Sequence, residues 1–252
     1  MNYLLLIAMA LVTHLPRNLV FEQDFSKLTD VDEAVWHFND GPVYNNELEK
    51  YTKKPAKNVW VEGGTLVIEA RKKNDVVTSG RLESKQSWKY GRFEIEAKVP
   101  GGRGTWPAIW MLNDKIRSDK PGERLGWPKC GEIDIMENVG YDPHKYHFTV
   151  HSEKYNHMKN TQRGSSKVVE EASPGFHTYV FDWQPGSIEL KMDGATVYSL
   201  KKTEDSFDAW PFDDSYYLIL NLAVGGDWGG SKGVDPAIFP SRLLIKSVRI
   251  YQ

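Results

Sequence analysis

The alternation of apolar and polar residues predicts β-strands along most of the chain. Residues 91–99 and 187–192 alternate between apolar and polar side chains, the period of a strand with one buried face. Asp193-Gly194 then gives a strong hairpin signal before the pattern resumes at 196–200. The run 216–224 is apolar almost throughout, which suits a strand covered on both faces. No segment keeps a helical period over three turns.

Strand-like runs separated by turn signals continue to both ends of the chain. Residues 19–25 predict a first strand, 59–71 a hairpin around Gly63-Gly64, and 241–251 a last strand. This pattern predicts an all-β fold, a jelly-roll sandwich of two antiparallel sheets. We expect one domain over residues 18–252, since no linker, repeat or low-complexity tract divides them.

Residues 3–12 form an apolar run of ten residues near the N-terminus. The run is too short to span a bilayer but has the length of a signal-peptide core. No Lys or Arg precedes it and no small-x-small cleavage site follows it, so an N-terminal strand is the alternative. We expect residues 1–17 to be a signal peptide or N-terminal extension, and the protein to be secreted or periplasmic.

The composition narrows the classes of partner. The net charge is −2 with both signs spread along the chain, which argues against nucleic acid or an anionic membrane as a partner. The single cysteine, Cys130, excludes an intramolecular disulfide. Nine Trp and twelve Tyr fill part of a core, and a cleft that stacks on sugars would also need such rings. We expect a monomer.

Three carboxylates in the middle of the chain carry the candidate chemistry. Glu132 and Asp134 share one face of a strand, whereas Glu137, five residues after Glu132, falls on the other. A β-bulge at Ile135 or Met136 would add one residue and return Glu137 to the face of the other two. The sequence therefore predicts three acids on one face, provided that the strand bulges.

Two carboxylates flanking a bond are the machinery of glycoside hydrolysis, in which one attacks the anomeric carbon and the other protonates the leaving oxygen. With the bulge, Glu132 and Glu137 lie roughly 13 Å apart at Cα, and a sheet curved toward that face brings their tips toward the ~5–5.5 Å of a retaining enzyme. The alternative is a solvated strand face with three acids turned to water.

The segment E-I-D-I-M-E at 132–137 resembles the signature of glycoside hydrolase family 16, in the form with the extra Met that is typical of the laminarinase (endo-1,3-β-glucanase) branch. The resemblance covers Leu19 to Tyr251. It implies a jelly roll with an open concave cleft, and retaining cleavage of internal β-1,3 bonds in laminarin-type glucans without a catalytic cofactor. It also implies that Glu132 is the nucleophile, that Glu137 is the acid and then the base, and that Asp134 tunes them.

The same resemblance implies a set of substrate-binding residues, namely Asn46, Arg81, Trp106, Trp110, Trp127, His151 and Trp228. The tryptophans of W-P-A-x-W and G-W-P would stack on glucose rings. Arg81 would bind a sugar hydroxyl or keep the nucleophile ionised. His151 would orient the acid/base or bind sugar. A zinc pair formed with His147 is the alternative, but no third ligand of convincing spacing appears.

Two positions depart from the family pattern. Phe148 stands where the family usually has Gly, and we expect it to narrow or reshape a subsite. Many relatives bind a structural calcium through an Asp near the C-terminus, where this chain has Lys246. A cation cannot ligate calcium, which argues against that site here.

Several alternatives remain open at the level of sequence. The same chemistry on mixed β-1,3/1,4-glucan is the nearest, because the loops 112–127 and 153–175 build the subsites. Algal galactans are a less favoured substrate. A non-catalytic β-glucan-binding module is the rival from another class, and transglycosylation would use the same intermediate with a sugar in place of water.

Overall fold

The computed structural model describes residues 17–54, 58–169 and 175–252. The predicted signal peptide therefore lies outside the described residues except for Arg17. The described residues form seventeen strands: β1 (Leu19–Asp24), β2 (Trp36–Phe38), β3 (Glu49–Tyr51), β4 (Val59–Glu62), β5 (Thr65–Lys73), β6 (Val76–Ser79), β7 (Arg81–Trp88), β8 (Gly91–Lys98), β9 (Thr105–Asn113), β10 (Glu132–Asn138), β11 (Lys145–His151), β12 (Arg163–Val168), β13 (His177–Gln184), β14 (Ser187–Met192), β15 (Ala195–Lys201), β16 (Tyr216–Val224) and β17 (Ser241–Tyr251).

Helical structure in the described ranges is limited to four 3-10 turns: Phe25–Lys27, Asp114–Arg117, His157–Lys159 and Pro236–Ile238. Each is capped by the side chain of the preceding Asp or Asn, which accepts a backbone N–H of the turn. Within residues 17–54, 58–169 and 175–252, no helix has the length and apolar character needed to cross a bilayer.

The strands form two sheets, as the all-β jelly-roll prediction requires. One sheet has ten strands in the order β15-β14-β13-β8-β17-β5-β6-β3, with β1 on β17 and β4 on β5. The other has seven strands in the order β12-β11-β10-β9-β16-β7-β2. The pairings are antiparallel except at one edge, where the three-residue β3 runs parallel to β6.

The core lies between the two sheets and confirms the alternation seen in the sequence. On β8, Phe93, Ile95 and Ala97 are fully buried while the charged residues between them are half-exposed. All nine residues of β16 are buried, because this strand lies between β9 and β7 and is covered on both faces. Apolar burial of this extent is the main favourable contribution to folding.

The seven-stranded sheet carries the cleft on its outer face. Its central strands each contribute lining side chains, among them Arg81 and Glu83 of β7, Trp106 and Trp110 of β9, Glu132, Asp134 and Glu137 of β10, and Tyr217 and Asn221 of β16. Side chains of opposite parity point from these strands into the core. The sheet is thus apolar between the layers and polar and aromatic toward the cleft.

Phe148 corrects one expectation from the sequence. On β11 it is fully buried and belongs to the core between the sheets, whereas its neighbours His147 and Thr149 are half-exposed. The prediction that Phe148 reshapes a subsite is therefore wrong. The alternation of strand faces directs this ring away from the cleft.

Lys246 lies on β17 in the ten-stranded sheet. Its ammonium group is 2.6 Å from Glu96 Oε1 and 4.2 Å from the centre of the Phe176 ring. A positive charge already pairs with the local carboxylate and covers the neighbouring ring, so the residues at this position do not fit a calcium ion.

We predict that Phe148→Ala lowers the free energy of unfolding by about 3–5 kcal/mol, because it removes an aromatic ring from a packed core. Met158→Ala is the matched control, since Met158 is 63% exposed at the cleft rim, and its expected cost is within about 0.5 kcal/mol. Urea unfolding of both variants measures the difference. Equal costs would contradict the core position of Phe148.

Candidate active site

The acidic strand β10 contains the predicted bulge. On the side of β9, Asp134 pairs with Trp110 and Met136 with Ile109, so two steps on β10 match one step on β9. On the side of β11, Asp134 pairs with Thr149 and Glu137 with His147, so three steps match two. Both registers place one extra residue between Asp134 and Glu137.

The extra residue has the expected effect on side-chain direction. Ile135 and Met136 are both fully buried in the core, as is Ile133. Glu132, Asp134 and Glu137 all line the cleft on the opposite face. The prediction of a bulge at Ile135 or Met136 is confirmed. Two consecutive apolar side chains enter the core, which returns the third acid to the face of the first two.

Gly131 fixes the direction in which the chain enters β10. It has φ +85°, a left-handed conformation that glycine adopts without strain. A Cβ at this position would lie 2.3 Å from the hydroxyl oxygen of Tyr216, which itself donates to the Cys130 carbonyl at 3.2 Å. Any larger residue at Gly131 would therefore displace Glu132.

The cleft above the acids encloses about 630 Å³. The acids lie in its floor, where the Asp134 side chain is 4% exposed and that of Glu132 is 16% exposed. Half-buried indole rings line it, from Trp106 and Trp110 on β9 and from Trp127 in the loop before β10. Flat apolar rings beside buried carboxylates form a site that suits a sugar ring and its hydroxyl groups.

Burial raises the pKa of all three acids. The pKa values of Glu132, Asp134 and Glu137 rise to about 8, with burial as the largest cause for each. The charge of Asp134 adds to the rise at Glu132 and at Glu137. Three carboxyls this close cannot all be ionised at neutral pH, so the cluster holds protons as a unit.

Local donors distinguish the two outer acids. The indole N–H of Trp106 donates to Glu137 Oε1 at 2.9 Å and opposes the rise in the pKa of Glu137. At Glu132, the charge of His151 and the nearby indole of Trp127 oppose the rise in pKa. Glu137 thus accepts a hydrogen bond from a tryptophan, whereas the indole N–H of Trp127 is buried and has no hydrogen-bond partner within the described residues.

His151 faces the acids across the β10–β11 ladder. Its Nε2 lies 3.3 Å from Asp134 Oδ2 and 3.7 Å from Glu132 Oε1. Within the described residues, His151 Nδ1 and Asp134 Oδ2 are buried and have no hydrogen-bond partner. Of the two residues, Asp134 lines the cleft, where a sugar hydroxyl would complete its hydrogen bonds, whereas His151 is not among the lining side chains.

The zinc alternative does not fit the observed arrangement of the two histidines. His147 packs edge-on against Trp228, with ring centres 4.8 Å apart, while His151 turns to the acids. The metal-competent cluster near His151 consists of Glu132, Asp134 and His151 itself, with ligand atoms within 4.8 Å of one another. That cluster is the acidic centre already described.

Arg81 lines the cleft, but its partner is another acid. Its guanidinium group lies 2.8 Å from Glu83 Oε1 and 5.0 Å from the centre of the Trp110 ring. Glu83 also accepts the side-chain N–H of Asn39 at 2.7 Å. The position fits contact with a sugar hydroxyl, and it does not support the expectation that Arg81 keeps the nucleophile ionised.

Besides His151, which contacts the acids but is not among the lining side chains, two other predicted substrate-binding residues do not line the cleft. Asn46 is exposed and donates to Asp227 Oδ1 at 2.8 Å, while its neighbour Asn45 faces the cleft. Trp228 is half-buried behind Trp106, with ring centres 5.5 Å apart. In this structure both support lining residues.

The structure adds cleft residues that were not predicted as site residues. They are Tyr44, Asn45, Glu47, Tyr51, Glu83, Arg124, His157, Met158, Tyr217 and Asn221, together with the aliphatic residues of the same strands. His157 stacks on Trp127 at 4.9 Å. One pattern in the sequence could have indicated part of this set. In the segment E-L-E-K-Y at 47–51, alternation directs Glu47, Glu49 and Tyr51 to one side of an extended chain.

The fold is a two-sheet β-sandwich, and its cleft holds two outer carboxylates and a central third, flanked by indoles. This arrangement defines a polysaccharide hydrolase of the carboxylate-pair class. The model of the family described as "Glycosyl hydrolases family 16" matches residues 45–238. The chain belongs to this family, which confirms the resemblance and identifies it as a glycoside hydrolase.

Three known proteins show how close the relationship is. The chain is 44% identical over 241 residues to the β-glucanase of Rhodothermus marinus, with 92% of this chain and 83% of the relative covered. It superposes on the solved laminarinase of Rhodothermus marinus with a TM-score of 0.86 and 42% identity, covering 94% and 98% of the two chains. It also matches a mutant of SCLam, described as a non-specific endo-β-1,3(4)-glucanase, with a TM-score of 0.85, 38% identity, and coverage of 94% and 95%.

We predict that Trp106→Phe raises the pKa of Glu137 by roughly one to two units, because the variant removes a donor to the ionised carboxylate. Titration of the side-chain carboxyl carbon by NMR measures the shift. Trp110→Phe is the matched control, since the Trp110 indole donates to Asn221 at 2.7 Å instead of to an acid. An unchanged or lowered pKa in Trp106→Phe would contradict the role of this hydrogen bond.

Proposed function

We propose that this protein is a retaining endo-β-1,3-glucanase that cleaves internal bonds of laminarin-type glucans. The observation that carries the proposal is the bulge in β10, which places Glu132 and Glu137 on one cleft face with Asp134 between them. The names of the relatives, β-glucanase and laminarinase, supply the substrate class.

The two outer acids divide the work of a double displacement. Glu132 attacks the anomeric carbon and forms a glycosyl-enzyme intermediate, while Glu137 protonates the leaving oxygen. Glu137 then removes a proton from the water that hydrolyses the intermediate. These steps require one ionised and one protonated carboxyl at the outset, and no cofactor takes part.

The electrostatics of the cluster support a proton on Glu137. Burial and the charge of Asp134 raise its pKa to about 8, so it is protonated at neutral pH, as a general acid requires. The same causes raise the pKa of Glu132, and the charge of His151 opposes the rise at both outer acids. The three carboxyls titrate as one cluster, so the assignment of Glu132 as the ionised nucleophile follows its position in the family motif. As the nucleophile loses its charge to the new bond, the Trp106 donor stabilises the growing charge on Glu137.

The shape of the cleft supports cleavage within a chain. The cleft is lined by side chains of strands β7, β9, β10 and β16, so it extends across several strands, as a polymer bound at internal units requires. Half-buried Trp110 and Trp127 line the cleft and offer ring faces for stacking on glucose. Arg81 and Asn221 offer polar groups for hydroxyl recognition.

Cleavage of mixed β-1,3/1,4-glucan is the second candidate. The observation in its favour is the likeness to SCLam, whose structure is described as that of a non-specific endo-β-1,3(4)-glucanase. Linkage analysis of products from laminarin and from a barley-type glucan separates the two candidates. We expect internal β-1,3 bonds to be cut in both polymers, with laminarin the better substrate. Binding of laminarin without release of reducing sugar would favour a glucan-binding module instead.

We predict that Glu132→Gln and Glu137→Gln each fold normally and lose at least about 10³-fold in laminarin hydrolysis, because each removes one of two essential carboxyls. Initial rates of reducing-sugar release measure the loss, and circular dichroism checks the fold. Glu62→Gln is the control, since Glu62 is 61% exposed on the other sheet. Full activity in either cleft variant would remove its assignment.

An activated aryl β-glucoside oligomer distinguishes the two roles, because its leaving group needs no protonation. We expect Glu137→Gln to release the aryl group in a burst and to accumulate a glycosyl-enzyme that mass spectrometry detects. We expect Glu132→Gln to give neither. The reverse pattern would exchange the two assignments.

A further inference from the structure

The segment 47–51 lies along the cleft wall with its acidic residues turned inward and its apolar residue turned outward. Leu48 is 56% exposed, whereas Glu49 is 1% exposed. Glu47 and Tyr51 line the cleft. The Leu48 N–H donates to the Val224 carbonyl at 2.9 Å, which fixes the segment against the end of β16. This arrangement buries two carboxyl groups, two residues apart, on the same side of an extended chain.

Only one of the two oxygens of Glu49 is satisfied. Oε2 accepts the Val224 backbone N–H at 2.8 Å, while Oε1 is buried and has no hydrogen-bond partner within the described ranges. An unpartnered carboxylate oxygen in the interior is costly. Glu47 is the neighbouring group that can supply a donor, provided that it carries a proton.

The surroundings of the pair favour that proton. Two neighbours oppose it: the charge of Arg81 on β7, whose guanidinium is paired with Glu83 at 2.8 Å, and the side chain of Asn45. From its own segment the pair faces the Tyr51 hydroxyl, and β16 supplies the Val224 N–H and the Asn221 amide. Burial and the charge of Glu49 raise the pKa of Glu47 to about 8.

A chain of hydrogen bonds links Glu47 to the floor of the cleft. The Tyr51 hydroxyl donates to Glu47 Oε2 at 3.4 Å and accepts the Asn221 side-chain N–H at 3.0 Å. Asn221 Oδ1 in turn accepts the Trp110 indole N–H at 2.7 Å. The orientation of the Trp110 ring is therefore coupled to the carboxyl of Glu47.

We propose that Glu47 and Glu49 share one proton, which Glu47 carries and donates to Glu49 Oε1, and that neutral Glu47 positions an uncharged sugar unit beside Trp110. Glu47 keeps its other oxygen as an acceptor for the Tyr51 hydroxyl and for a sugar hydroxyl. Loss of the proton to solvent places two adjacent negative charges in the cleft wall. It also disturbs the series of hydrogen bonds that links Glu47 to Trp110. The identity of the ligand rests on the proposed function, whereas the shared proton does not.

The pH dependence of KM for laminarin tests the positioning role. We expect the wild-type KM to rise roughly tenfold above about pH 8, the loss expected for one hydrogen bond. The catalytic acids titrate in the same range, so kcat should fall alike in wild type and in Glu47→Gln. Glu47→Gln keeps a donor and cannot ionise, so its KM should stay flat with pH and lie close to the wild-type value at pH 6. Glu47→Ala should have a raised KM at every pH.

Two kinetic outcomes would overturn the proposal. A KM for Glu47→Gln at pH 6 as high as that of Glu47→Ala would show that a negative charge is required. A wild-type KM independent of pH would show that no proton is lost there.

The pH dependence of stability tests the shared proton without any substrate. The folded-state pKa of Glu47, about 8, lies above its ordinary value of 4.5, so its contribution to stability is lost as the pH rises between these values. We expect urea unfolding to show a shallower loss of stability over this range in Glu47→Gln than in wild type. Glu62→Gln, an exposed control, should keep the wild-type slope. If no glucan is hydrolysed, the proposed function fails, but this measurement still tests whether Glu47 carries the shared proton. Equal slopes in Glu47→Gln and wild type would overturn the shared proton.

Discussion

The active centre depends on one extra residue in β10. A regular strand would direct Glu137 into the core and leave Met136 in the cleft. The bulge instead sends Ile135 and Met136 together into a fully buried apolar layer and keeps three acids on the other side. Apolar burial on one face thus holds the charge cluster in place on the other, since any slip of register would expose methyl groups and bury a carboxylate.

The sheet also sets the electrostatic character of the cleft. Glu132, Asp134 and Glu137 lie on one strand whose neighbours, β9 and β11, supply the groups that modulate them, Trp106 and His151. Burial raises the pKa of each acid, and the flanking groups oppose that rise. The cost of burying these acids opposes folding, and the packed core between the sheets offsets it.

A second group of acidic residues lies along the wall of the cleft. Glu47, Glu49 and Glu83 lie beside the cleft floor, and Arg81 is the cation that faces them. Hydrogen bonds join this group to Trp110 through Tyr51 and Asn221. The cleft therefore contains two groups of acidic residues, and hydrogen bonds link the second group to the Trp110 indole. The polar groups of the cleft suit the hydroxyls of a neutral sugar chain.

The sequence by itself determined the strands with clear alternation, both tight hairpins, the two-sheet fold and the acidic face of β10, because these follow from the period of two and from local turn chemistry. It also predicted the bulge, since only one added residue reconciles Glu137 with Glu132. Local patterns could not give the partners of Arg81, Asn46 and Trp228, which lie on other strands or loops, nor the burial of Phe148. Those were decided by tertiary packing, because a side chain's partner depends on which distant strand the sheet brings beside it.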